Sequence, residues 1–306
     1  MLTKPNAYDE QRLLKLSFYA AGFFVSIALT CALLTRSNSI LFDGIYSLIS
    51  FFMALVTLRV AALVERPNDD QFHFGYTAIE PTLNFFKSLI TIVTCIFAVF
   101  SAVNSLLSGG NSAEYGIAIF YGIFATISCF MIAWIMKQRS QHLSSDLVGV
   151  DAKTWFIDGL LSASILLGFI GAWLLENSPL YKYAPLVDPI LLIILGLAIL
   201  PIPGQIMIAS FKEIINRAPP EMLINEIEQR LAACLTEINY DHIELRVSKR
   251  GRDLYLLVHI VVSEEFDLES IEQLDDIRQS SELTMKEWNP AILMDILFIK
   301  DPALAG

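Results

Sequence analysis

Residues 41–50 read LFDGIYSLIS. Asp43 interrupts a run otherwise suited to lipid, and a carboxylate at the centre of a membrane helix costs roughly 2.5–3.5 kcal/mol on insertion scales. The rest of the chain has to supply what offsets that cost. Crossing roughly 30 Å of hydrocarbon takes about 20 apolar residues. Working outward from Asp43, six runs meet that length: about 16–34, 39–64, 82–107, 115–137, 147–175 and 186–209. The breaks between them are polar: RSN (36–38), ERPNDDQFHFGYT (65–77), SGGNSAEY (108–115), KQRSQHLSSD (137–146) and ENSPLYKYAP (176–185).

The chain has 306 residues, 55% hydrophobic and only 17% charged, well below the roughly 25% charged of soluble proteins. The bias is uneven. Residues 221–306 hold 18 Asp+Glu against 8 Lys+Arg, which is −10 of the net −11. An acidic tail argues against nucleic acid and against an anionic membrane face as partners. Cys31, Cys95, Cys129 and Cys234 have no metal or disulfide spacing. The polar start MLTKPNAYDEQRLLK shows no signal-peptide pattern.

Orientation follows the basic residues of the short loops. Lys4, Arg12, Lys15, Arg66, Lys137, Arg139, Lys212 and Arg217 fall on one side, and only Arg36 and Lys182 on the other. This predicts an integral membrane protein with both termini cytoplasmic, in the inner membrane if the source is bacterial. The expected domains are a six-helix, all-α membrane domain over 1–210 and a cytoplasmic α+β domain over 211–306. In that tail, EMLINEIEQRLAACL (221–235) has helical periodicity. HIELRVSK and RDLYLLVHIVV read as a hairpin with Arg250-Gly251 at its tip. Residues 267–283 form a second amphipathic helix, with Asp267 or Ser270 as N-cap, and AILMDILFI (291–299) a last strand. The order is αββαβ, a ferredoxin-like (metallochaperone-like) arrangement with helices on one face.

Polar side chains inside the spans fall on helical stripes. Asp43 and Ser47 are an i,i+4 pair; Asp151, Thr154 and Asp158 share a face of span five. Two such stripes facing one another can enclose a cation, whose attraction offsets the desolvation of the carboxylates. The alternative is a structural ion pair of Asp43 or Asp158 with Lys87 or Lys153, or a protonated carboxyl. Asp151 lies near the membrane edge. Glu80, Asn84 and Lys87 form a third stripe, with Lys87 a possible counter-ion but expected to snorkel toward the interface.

The ordered set of these motifs resembles the cation diffusion facilitator (cation efflux) family along nearly the whole chain. SNSILFDGIYSL resembles its second-span signature, RPNDDQFHFGYTAIEP its cytoplasmic loop, DAKTWFIDG its fifth span, VDPILLIILGLAIL the opening of its sixth, and NRAPPEMLINEIE and IKDP the two ends of its tail. The resemblance implies a homodimer in the lipid bilayer that exports a metal cation (zinc, iron, manganese or another divalent ion) in exchange for protons. It implies no resident cofactor and no enzymatic activity. It also implies that spans one, two, four and five rock against three and six. Carried over by position, the transport ligands are Asp43, Ser47, Thr154 and Asp158, with Asp151, Asn84 and Lys87 as accessories. Two usual carboxylate or histidine ligands are therefore hydroxyls here. Peripheral metal positions fall at Asp69 with His73 in the loop, and at His259 and Asp301 in the tail; an isolated strand histidine is more often a core residue. An all-oxygen site suits manganese, magnesium or calcium better than zinc. The competing expectations are a non-transporting homologue, acting as partner subunit or sensor, and a carrier of another kind of cation.

Overall fold

The computed structural model describes residues 7–35, 38–109, 115–143, 145–176, 179, 181–235, 238–266 and 270–305. The side chains of 38–46, including Asp43, and of Asp188 lie outside the described residues. The helices are α1 (Ala7–Thr35), α2 (Asn38–Val64), α3 (Ile79–Leu107), α4 (Tyr115–Leu143), α5 (Asp146–Glu176), α6 (Ala184–Ile199) and α7 (Pro201–Ile214). They supply six segments long and apolar enough to cross a membrane, the last running through α6 and α7.

Several helices outrun their apolar runs. α1 starts at Ala7 rather than near residue 16, and α4 carries KQRSQHL, read from sequence as loop, through to Leu143. Lys, Gln and Arg are good helix formers, so a membrane helix continues into water once hydropathy has ended. The sixth span departs the other way. Pro201 and Pro203 have no amide hydrogen to give, and the helix divides into α6 and α7 at Leu200.

α1 packs along α2 and α4 along α5, while α3 lies against α6 and α7. The main core joins α1, α2, α4 and α5 through Leu14, Phe24, Val60, Met136 and Trp155. A smaller one joins α3, α5 and α6 through Cys95, Ile157, Leu161 and Ile199.

The tail folds as expected into α8 (Glu221–Cys234), β1 (Tyr240–Arg250), β2 (Asp253–Val262), α9 (Ile271–Trp288) and β3 (Ile292–Ile299). β2 is central, antiparallel to β1 and parallel to β3, with α9 as the crossover a parallel pair needs. In LYLLVHIVV, Leu254, Leu256, Val258 and Ile260 are buried on one face, and the other face is buried only from His259 onward. Ile227, Leu231 and Met285 of the helices pack on Leu256, Val258 and Ile260. Ser270 caps α9, accepting from the Gln273 amide, and the helix runs on to Trp288 rather than ending near 283; Asp267 lies outside the described residues.

Candidate functional site

The inner face of α5 carries most of the site. Starting from the end of the bundle that meets the α+β domain, it presents Asp151, Thr154 and Asp158 in turn. At 1.5 Å per residue, Asp158 lies about 10 Å deeper than Asp151. Two adjoining cavities of about 30 Å³ each meet at Asp158. Thr154 lines the first, and Ser47 of α2 lines the second. Three of the four side chains expected to hold the cation therefore border these adjoining cavities, together called the chamber; the fourth, Asp43, lies outside the described residues. The Thr154 hydroxyl donates to the Val150 carbonyl at 3.0 Å. That bond uses its proton and leaves oxygen lone pairs, the part a cation needs.

Ser50 borders both cavities, and Ser17 and Thr91 border the first. None of the three was singled out in the sequence. Ser50 had a signal, since it lies three residues beyond Ser47 on the α2 stripe. Thr91 continues the Lys87 stripe by four residues. Ser17, at the polar start of a span, had none. Among the described residues, no group of three His, Cys, Asp or Glu side chains is placed to hold a metal ion. A cation in the chamber therefore draws on hydroxyls, water or side chains beyond that set.

Lys87 does not snorkel. Only 4% exposed, it donates from Nζ to Asp151, itself 3% exposed. Ser17 Oγ donates to the other Asp151 oxygen and accepts from Trp155 Nε1 at 2.8 Å. Asp151 is thereby buried in a network across α1, α3 and α5. Desolvation decides both, because a buried ammonium and a buried carboxylate each need an opposite charge. Lys153 is exposed on α5. Asn84 is buried and faces a cavity of about 400 Å³ between α3, α5, α7 and the β1–β2 hairpin, away from the chamber.

That hairpin carries a second charged cluster. At its tip, Arg252 Nη1 donates to Glu65 at 2.6 Å, Nε donates to Glu80 at 2.9 Å, and Nη2 reaches Glu10 at 3.3 Å. One guanidinium thus gathers carboxylates from α1, α3 and the end of α2. Lys249 donates to Asp146 at 2.8 Å and to Glu213 of α7 at 2.9 Å. Burial alone would lower the Lys249 ammonium, but Asp146 and Glu213 outweigh it, and its pKa is raised. Ser145 joins the two groups: its hydroxyl accepts from the Val148 amide, capping α5, and donates to Glu10. Between the cations, Gly251 has φ +61°, and a Cβ there would lie 2.4 Å from the Thr77 carbonyl oxygen.

The peripheral metal candidates are dispersed. Asp69 accepts from the Tyr76 hydroxyl and from the Gln71 and Phe72 amides, each at 2.9 Å, and these bonds, Tyr76 first, lower its pKa. His73 Nε2 lies 3.1 Å from the Asp70 carbonyl. His259 is buried in β2, opposite Glu244 and Leu297. Asp301 is exposed and accepts from the Ala303 amide at 2.9 Å.

A polytopic helical bundle with a small polar chamber inside it and an α+β domain at one end has the layout of a membrane carrier. Residues 14–215 match the cation efflux transmembrane domain, and the chain belongs to that family. It is 21% identical to the metal cation efflux system protein CzcD of Cupriavidus metallidurans, over 82% of this chain and 76% of that protein. It is 23% identical to the zinc transporter ZitB of Escherichia coli, over 90% and 83%. It is 24% identical to protein p34 of Rickettsia rickettsii, over 85% and 83%. As a member of this family, the chain is a metal cation efflux transporter of the membrane.

Proposed function

We propose that the chain exports a hard or borderline divalent cation, with manganese first among candidates, in exchange for protons through the chamber at Asp158. The observation that carries this reading is the meeting of Ser47, Thr154 and Asp158 around adjoining cavities inside a cation efflux bundle. Asp158 and Asp43 are the carboxylates of the site, and Ser47 and Thr154 contribute neutral oxygens. Such a donor set favours ions that tolerate oxygen ligands and keep some water. It makes a weaker cage than a four-ligand zinc site, and a carrier that must release its cargo tolerates that. When the cation leaves, two facing carboxylates resist ionising together, so protons return in its place.

Membrane orientation follows the basic loops, with both termini and the α+β domain in the cytoplasm. Residues 1–210 form the transport domain and 211–306 the domain through which two copies pair as a homodimer. Purified protein in sealed vesicles, offered Mn, Fe, Zn, Co and Mg in turn, tests the reading. Manganese flux is expected to fall to background in Asp158→Ala and to drop when the pH gradient is collapsed. Equal flux in wild type and Asp158→Ala rejects the pathway. No flux of any metal through a well-folded wild type favours a non-transporting partner subunit instead.

A further inference from the structure

The first cavity holds a feature that cation export does not require. Its wall includes Lys87 of α3 as well as Thr154 and Asp158. A fixed positive charge therefore borders the chamber read above as the seat of a positive cargo. The ammonium has three N–H donors. Among the described residues it meets one acceptor, Asp151, although it is almost wholly buried. Its other two donors have no acceptor among the described residues, and the side chain lines the cavity. A buried ammonium so thinly satisfied is costly as a purely structural element.

We infer that Lys87 is a tethered counter-cation of the transport chamber, which Asp151 holds aside and which thereby sets how tightly the chamber binds a divalent ion. This rests on the export reading and deepens it. With cargo present, Asp151 neutralises the ammonium, so the ion meets little repulsion. With cargo gone, the ammonium is a fixed positive charge on the wall it shares with Asp158. Lys87 and Asp151 are positioning residues, acting on the cargo through the field they impose. The Ser17 and Trp155 hydrogen bonds fix the Asp151 carboxylate and so define where the ammonium rests.

The two charges have opposite signs, so their removal has opposite consequences. Equilibrium binding of Mn²⁺ to purified full-length protein reads them directly. Lys87→Met removes the competitor and leaves a carboxylate, and is expected to tighten binding by about tenfold or more. Asp151→Asn frees the ammonium toward Asp158 and is expected to weaken binding by a similar factor. The double variant returns close to wild type, and Lys87→Arg keeps the wild-type affinity. A merely structural pair gives a different pattern, in which both single variants lose affinity together with thermal stability. The double variant leaves no unpaired buried charge and keeps the comparison open if a single variant fails to fold. Lys87→Met binding no tighter than wild type, while Asp158→Ala still abolishes binding, overturns this inference and spares the export reading. A wild type that binds no Mn²⁺ overturns both.

Discussion

The chamber inside the bundle and the cluster at the hairpin tip both put carboxylates in poorly hydrated surroundings, but they are neutralised differently. At the tip, Arg252 and Lys249 each face at least two acids at ordinary hydrogen-bond distances. Two cations there bridge five acids, and the cluster joins α1, α2, α3, α5 and α7 to the β1–β2 hairpin. In the chamber, hydroxyls outnumber charges and the single lysine is engaged by Asp151. Acids bridged by shared fixed cations hold domains together, whereas an acid bordering a cavity with several hydroxyls offers oxygen to a mobile cation.

That contrast breaks most readily at Arg252. Arg252→Ala leaves Glu10 and Glu80, 0% and 2% exposed, without their cation. Removing one partner of a buried pair costs about 3–5 kcal/mol. Thermal unfolding in detergent is expected to show a loss of that order, and a change within about 0.5 kcal/mol, typical of surface sites, contradicts a locked tip. Gly251→Ala sharpens the same point without touching charge. Its positive φ and the close Thr77 carbonyl predict a loss of about 1–3 kcal/mol, and a neutral result places the tip farther from α3 than described. The smallest effect concerns pH. Because the Lys249 pKa is raised in the folded state, its stabilisation is complete below the unfolded value of about 10.4 and is lost as pH climbs through the folded value. The stability gap between wild type and Lys249→Met is therefore expected to be flat from pH 6 to 9 and to shrink only above that. Shrinkage near pH 8 argues against the pairing.

Hydropathy alone located the spans because lipid imposes a length and excludes charge, and period-2 and period-3.6 patterns likewise ordered the tail. Boundaries were less legible, since KQRSQHL stays helical by propensity after its hydrophobicity ends. Partner choice was least legible of all. Periodicity put Glu80, Asn84 and Lys87 on one face, but nothing in the spacing said that Lys87 would meet Asp151 while Glu80 met an arginine 172 residues away. Helical stripes specify which side chains share a face; tertiary packing decides what that face meets. Of the site itself, Ser47, Thr154 and Asp158 could be read from their stripes, and Ser17 could not.

The break between α6 and α7 has a consequence of its own. Pro201 and Pro203 withhold two amide hydrogens from the carbonyls one turn earlier, at Leu197 and Ile199. α6 lies on α5 and α3, and α7 lies on α3 and delivers Glu213 to Lys249. This gap in the hydrogen-bond ladder is set by covalent rings rather than by side-chain contacts. Exchanging the hairpin charges can undock the α+β domain, but it cannot restore these two hydrogen bonds, so the sixth span keeps a weak point that no side-chain exchange at the hairpin removes.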